Sequence, residues 1–167
     1  LRILGQGLKP SVAIGKVWLE SQTVLGTNDV FDNFVIRIDQ DGANNAQLST
    51  REGVYGRFFV PKNFVGTTTR VIIHWTATVT SGNVVWDFEY RAVGGDDAES
   101  LDQSGTQESV TGTDANPSAA WERNELAITL TGSNFAVDDT VNYFLARDGV
   151  DANDTAASAT LLYGAFF

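Results

Sequence analysis

The sequence predicts an all-β fold: an antiparallel β-sandwich, jelly-roll-like, with about eight strands and an extended N-terminal arm. Apolar and polar side chains alternate in many short segments, which is typical of half-buried strands. Val, Thr, Phe and Trp, which favour pleated sheets, are plentiful, and no segment shows a long amphipathic helical pattern. A chain of 167 residues is long enough for one core, so we expect a single domain over residues 1–167.

The alternating segments run through most of the chain and are separated by turns rich in Gly, Asn and Asp. Connections of very uneven length between them favour a jelly roll over an up-and-down barrel. The predicted strands are residues 12–19, 34–39, 54–60, 72–79, 84–92, 125–131, 141–147 and 157–167.

The two strands around the turn 81–83 predict a β-hairpin, because two alternating runs flank a short turn that contains glycine. In that hairpin, Trp75 and Trp86 would lie close together in the ladder and share one layer of the core. The outward positions Asp87, Glu89 and Arg91 would then face water.

The last two strands end on Phe166 and Phe167, which point to opposite faces because side chains alternate along a strand. One ring can enter the core, and the other needs different cover. We expect that cover to be a neighbouring subunit or residues beyond Phe167.

Charge is distributed unevenly along a chain whose formal net charge is −10. Arg2, Lys9 and Lys16 all precede the first acid, Glu20, so the arm over residues 1–11 and the segment after it are basic. An acidic body argues against nucleic acid as a partner, whereas a basic arm can dock on an acidic neighbour.

Residues 94–124 form a long acidic excursion. A stretch of this length without secondary structure is unusual, so we expect an edge strand near residues 107–112. Asn116 followed by Pro117 resembles a helix start, which predicts one helical turn leading to Trp121.

Composition excludes several kinds of site. The chain has no Cys, so it can form neither a disulfide nor a thiolate metal centre. No run of 18 apolar residues is present, so no membrane partner is expected. No motif indicates a cofactor, and we expect none.

Two groups of residues have side chains suited to catalysis, but neither predicts an enzyme. His74 is the single histidine and lies on the polar face of a strand, without a second histidine for a metal. Asp87 and Glu89 share a face and could act as the acid and base of a glycosidase. Arg91 continues the same row, however, which is typical of a solvated strand face.

A cluster of acidic residues in the turn between the last two predicted strands makes calcium a candidate ligand, because calcium binds six to eight oxygen atoms. The residues concerned are Asp148, Asp151, Asn153 and Asp154, and a second acidic turn lies at residues 39–42. Neither turn fits the EF-hand pattern, and Asp and Asn also favour turns for steric reasons. The triplet Arg147-Asp148-Gly149 has the form of an integrin-type tripeptide, but we interpret it as a strand end followed by a turn.

Trp121 lies outside the alternating strands and is a candidate platform for stacking of sugar rings. The alternative is a tryptophan that covers the open end of the sandwich, since large aromatic residues dominate cores.

Several stretches resemble a known group of proteins. They are LTGSNF at residues 130–135, DDTVNYFLARDG at 138–149 and DTAA at 154–157, together with IHWTA at 73–77 and GNVVW at 82–86. These resemble the C-terminal strands of small jelly-roll virion structural proteins of tailed bacteriophages. The likeness covers about the C-terminal half of the chain and names no catalytic residues.

The resemblance implies a non-enzymatic virion protein on the outer surface of a particle assembled in the host cytoplasm. The first hypothesis is a capsid decoration (cement) protein that binds the major capsid protein, or another virion protein, as a homotrimer and stabilises the shell. Arg2, Lys9 and Lys16 would form the partner-binding arm. The alternative is a glycan-binding tail or receptor-binding module, with Trp121 and the acidic loop near the ligand.

Overall fold

The computed structural model describes residues 9–10, 18–22, 33–38, 51–66, 68–94, 105–158 and 160–167. These residues form an antiparallel β-sandwich, which confirms the predicted fold class. Ten strands are present, against about eight predicted, and the shortest has two residues. They are β1 (Lys9–Pro10), β2 (Trp18–Gln22), β3 (Asn33–Ile38), β4 (Glu52–Phe59), β5 (Thr69–Ala77), β6 (Asn83–Val93), β7 (Glu108–Ala115), β8 (Asn124–Leu130), β9 (Thr140–Arg147) and β10 (Thr160–Phe166).

The strands are divided equally between two sheets. The first sheet has the order β1-β4-β9-β6-β7, and the second has the order β2-β3-β10-β5-β8. Neighbours in each sheet pair antiparallel, and several paired strands, such as β4 with β9 and β5 with β10, are distant in sequence. β7 lies at the edge of the first sheet, which confirms the edge strand predicted within the acidic excursion.

The predicted hairpin is wrong, because β5 and β6 belong to different sheets. β5 pairs with β10 and β8, whereas β6 pairs with β9 and β7. The chain crosses from one sheet to the other through residues 78–82. Gly82 in this connection has a φ of +90°, and a Cβ added there would lie 2.7 Å from the carbonyl oxygen of Thr155. This backbone conformation and close approach require glycine.

The core lies between the two sheets and contains the apolar side chains that the alternation pattern predicts. Trp75 and Trp86 do share one layer, but they meet across the sandwich, edge to face, with centroids 6.0 Å apart. Phe167 stacks on the buried ring of Phe58, with ring centroids 4.0 Å apart. Phe166 lies on the other side of its sheet against His74, with centroids 4.7 Å apart.

The helical turn predicted at residues 116–121 is not formed. The backbone N–H of Glu122 donates to the carbonyl of Ala119 at 3.1 Å, which closes a simple turn. Asn116 does not cap a helix, because its Nδ2 donates to the carbonyl of Ser81 at 2.6 Å. Among the described residues, the single helical segment is the 3₁₀ turn Gly132–Asn134. No helix in this part of the chain has the length and apolar content needed to cross a membrane.

Candidate functional site

The outer face of the first sheet carries the side chains that point away from the core. In β4, Val54 and Phe58 are buried in the core, so the alternate residues Tyr55 and Arg57 point outward. The same alternation operates in β9 and β6. The outer face of these three strands includes Tyr55, Arg57, Asp87, Glu89, Arg91, Asn142 and Phe144.

Strand register places these side chains in rows across the sheet. One row contains Tyr55, Phe144 and Glu89, because Phe144 lies opposite both of the others. The next row contains Arg57, Asn142 and Arg91 in the same arrangement. Adjacent strands are about 4.8 Å apart, so the central side chain of each row lies within reach of the side chain on either side of it.

A cavity of about 470 Å³ lies over these rows. Its lining includes Tyr55, Phe144, Glu89, Arg57, Asn142 and Arg91. Residues of the acidic excursion close one side, since Gly105 and Thr106 also contribute to the wall. The cavity therefore combines aromatic rings, an amide and charged groups on rigid strands.

An aromatic stack forms the apolar part of the cavity. The rings of Tyr55 and Phe144 are 4.6 Å apart with an interplanar angle of 29°. The guanidinium carbon of Arg51 lies 5.7 Å from the centroid of Phe144, within range of a cation–π contact. Phe144 thus supports Tyr55, whose residue surface is 48% exposed.

Arg51 organises the acids of the outer face. Its Nη1 lies 3.0 Å from Oδ2 of Asp87 and also contacts Oε1 of Glu89. Burial lowers the pKa of Arg51, but the hydrogen bonds to Glu89 and Asp87, together with their negative charges, raise it, and the net shift is upward. Asp87 also accepts a hydrogen bond from Oγ1 of Thr111 at 2.8 Å and is buried. The prediction that Asp87 faces water is wrong, because these neighbours cover it.

In the second row, the two arginines bond to neutral partners. Nε of Arg57 donates to Oδ1 of Asn142 at 2.9 Å. Nη1 of Arg91 donates to the carbonyl of Gly105 at 3.2 Å. Within the described ranges, neither guanidinium forms an ion pair.

The calcium candidates do not converge on a common point. Both carboxylate oxygens of Asp154 bond to the guanidinium of Arg147, and both residues are buried. Oδ1 of Asp151 accepts hydrogen bonds from the backbone and side-chain nitrogens of Asn153, at 2.7 and 2.9 Å. In the part of the chain that the structure describes, no group of three or more His, Cys, Asp or Glu side chains is placed to hold a metal ion. The acidic turn at residues 39–42 lies outside the described residues.

Asp148, the fourth candidate, is near the acids of the outer face instead. Burial raises the pKa of Asp148, and the negative charges of Asp87 and Asp151 raise it further. The preceding residue, Arg147, is 1% exposed. Its side chain therefore cannot be presented as part of an integrin-type tripeptide.

The other predicted residues lie elsewhere. Trp121 is half-buried beside the end of β5, where its backbone N–H donates to the carbonyl of Ala77 at 2.9 Å, and it does not line the cavity. His74, on the outer face of the second sheet, lies 3.1 Å from Glu125 and 3.3 Å from Arg123. Of the predicted arm residues, Lys9 is in β1 beside Tyr55, whereas Arg2 and Lys16 lie outside the described residues.

Sequence reasoning missed the aromatic stack. The available signal was an aromatic residue at an outward position in two separate strands: Tyr55 in β4 and Phe144 in β9. Each is ordinary alone, since scattered exposed aromatic residues are normal. The two become a site only when β4 pairs with β9, and period-two patterning does not give that pairing.

Comparison with known proteins reveals likeness in fold only. No protein-family model matches the chain, and no curated protein matches its sequence. The arabinose-bound MgGH51 α-L-arabinofuranosidase is similar in structure, with a TM-score of 0.54 and 10% identity over 96% of this chain and 23% of that one. This chain thus spans about a quarter of the length of that enzyme.

Two further structures are similar at lower scores. The CBM22-1 xylan-binding domain of Paenibacillus barcinonensis Xyn10C has a TM-score of 0.47 and 13% identity, covering 96% of this chain and 83% of that one. The CBM22-1–GH10 modules of Clostridium thermocellum Xyn10B, complexed with xylohexaose, have a TM-score of 0.46 and 11% identity, covering 94% and 25%.

Proposed function

We propose that this protein is a carbohydrate-binding module that holds an oligosaccharide in the cavity on the outer face of the first sheet. The observation that carries the proposal is the exposed ring of Tyr55, supported by Phe144 within a cavity of about 470 Å³. The outward-facing surface of these two rings is not packed into the core. A ligand stacked on the rings would cover that surface.

The chemistry of the cavity suits a sugar. A pyranose ring has apolar C–H faces and a polar rim of hydroxyl groups. The face can pack on an aromatic ring such as Tyr55, and the rim can bond with amide and guanidinium groups such as those of Asn142 and Arg57. Ligand sites of about 300–1,000 Å³ with a few oriented polar groups are typical of small-molecule recognition.

The arrangement of the acidic side chains favours binding without catalysis. A glycosidase needs two carboxyl groups on either side of the scissile bond, with room for the sugar oxygen or a water molecule between them. Here Nη1 of Arg51 contacts both Asp87 and Glu89, so the guanidinium occupies the space between the carboxylates.

A glycan array tests the proposal directly. We expect binding to a restricted set of oligosaccharides, and we expect Tyr55→Ala to abolish it while leaving the melting temperature within a few degrees of wild type. Trp121→Ala serves as the matched control, because Trp121 is an aromatic residue outside the cavity. Absence of binding to every glycan at millimolar concentration would refute the function. Loss of binding in Trp121→Ala but not in Tyr55→Ala would move the site to the residue that the sequence suggested.

The capsid decoration role implied by the phage resemblance stays a prediction. It depends on an arm of which the structure describes only residues 9–10. One measurement distinguishes the two functions. A decoration protein would bind virion shells equally well with and without the Tyr55 side chain.

A further inference from the structure

The row next to the aromatic stack concentrates positive charge on an acidic protein. The chain carries 11 basic and 21 acidic residues, for a net charge of −10. Arg57 and Arg91 nevertheless flank Asn142 on the outer face, one on each neighbouring strand. Two strand spacings separate them, which places their backbones about 10 Å apart with the cavity above.

Internal contacts do not neutralise these two charges within the described residues. Arg57 is exposed, and its hydrogen bond goes to the neutral amide of Asn142. Arg91 bonds to the carbonyl of Gly105. Arg51 offers the contrast, since it lies on the same face and is fully engaged by Asp87 and Glu89. Among the described residues, Asp87 and Glu89 thus bond to Arg51, and no carboxylate pairs with Arg57 or Arg91.

Guanidinium groups recognise carboxylates well, because their paired N–H donors match the two oxygens. The acidic remainder of the chain repels extended polyanions, so this small positive island favours a ligand that carries few charges. Arg57 follows Tyr55 by two residues on the same strand, about 7 Å away. A sugar ring on Tyr55 therefore places a substituent of that ring, or of its neighbour, within reach of Arg57.

From this arrangement, which rests on the proposed function, we infer that the ligand is an oligosaccharide containing uronic acid. Its ring packs on Tyr55, and its carboxylate binds between Arg57 and Arg91 beside Asn142. The amide nitrogen of Asn142 supplies a neutral donor at the centre of the row. The cavity thus selects acidic sugars over neutral ones.

The test compares matched ligands by isothermal titration calorimetry. The probes are uronate oligosaccharides, including tetragalacturonate, their methyl esters, sulfated oligosaccharides and neutral xylohexaose. We expect the free acid to bind at least about tenfold more tightly than its ester in low salt, because charge-assisted hydrogen bonds are the stronger ones. The preference is expected to shrink when the salt concentration rises from about 50 to about 500 mM.

Two double variants assign the preference to these arginines. In R57Q/R91Q, the preference for the acid is expected to disappear while weaker binding of the ester remains. The matched control is K62Q/R70Q, which removes two exposed positive charges outside the cavity and is expected to keep the preference. Loss of the preference in both double variants would attribute it to net charge and overturn the assignment to the row.

The outcomes separate this inference from the function on which it rests. Equal affinity for acid and ester, or tighter binding of neutral xylohexaose, would overturn the uronate assignment and leave a carbohydrate-binding module. Preference for a sulfated sugar would also overturn it. Absence of binding to every probe and to a glycan array would overturn both proposals.

Discussion

Arg147 and Asp154 form a doubly hydrogen-bonded ion pair inside the sandwich, with Nε to Oδ2 at 2.8 Å and Nη2 to Oδ1 at 2.6 Å. Both side chains are inaccessible to solvent. Arg147 also donates to the carbonyl of Ala156 at 2.7 Å, and Asp154 accepts from the backbone N–H of Val85 at 3.1 Å. The pair therefore fixes the loop after β9 against β6. Asp154, which the sequence suggested as a calcium ligand, is a member of this ion pair.

Removal of the guanidinium is expected to destabilise the fold strongly. Arg147→Met leaves Asp154 buried without its partner, which typically costs about 3–5 kcal/mol in the free energy of unfolding. Urea denaturation measures the change. Arg70→Met, at an exposed position of β5, is expected to stay within about 0.5 kcal/mol of wild type. Similar unfolding curves for the two variants would show that the buried pair does not hold the loop.

Asp148 is expected to limit stability at neutral pH. Burial, with the charges of Asp87 and Asp151, raises its pKa in the folded state. As the pH rises, the unfolded chain therefore loses the Asp148 proton at a lower pH than the folded protein does. The resulting penalty is absent below the unfolded pKa and complete above the folded pKa. Asp148→Asn should therefore raise the melting temperature at pH of about 7 and have little effect at pH of about 3.

Asp138→Asn is the control for that change, because it removes the same charge at an exposed position. Equal effects of the two substitutions at neutral pH would show that the gain is not specific to the environment of Asp148. A gain for Asp148→Asn that persists in acid would contradict the role of its ionisation.

The close approach of Tyr143 to Gly56 yields a third expectation. The two residues are cross-strand partners, and a Cβ added at Gly56 would lie 2.3 Å from the ring of Tyr143. Gly56→Ala should cost about 1–3 kcal/mol by overpacking. Gly105→Ala, where no atom lies within 4 Å of the added Cβ, should be nearly neutral in thermal denaturation. A harmless Gly56→Ala would mean that Tyr143 moves aside without cost.

Strand patterns predicted the fold well and its connections poorly. Alternation in residues 72–79 and 84–92 identified the buried sides of β5 and β6, including Trp75 and Trp86. It could not decide whether the two strands pair or face each other, because both arrangements bury the same side chains. Here they face each other, and the connection over residues 78–82 crosses between the sheets.

The candidate site was less predictable for a related reason. Asp87, Glu89 and Arg91 were identified as neighbours on one strand, but Arg51, which binds the two acids, comes from before β4. Tyr55 and Phe144 likewise meet only through the pairing of β4 with β9. Local periodicity contains no information on such long-range pairing.

The affinity of Tyr55→Ala for an oligosaccharide, measured by titration calorimetry, tests the central claim most directly. The ligand is the glycan that wild type binds best on an array, and Phe59→Ala is the control, since Phe59 is an exposed aromatic residue of β4 outside the cavity. We expect Tyr55→Ala to lose at least about tenfold in affinity, Tyr55→Phe to retain most of it, and Phe59→Ala to stay within about twofold. Wild-type affinity in Tyr55→Ala would contradict a binding site on this face.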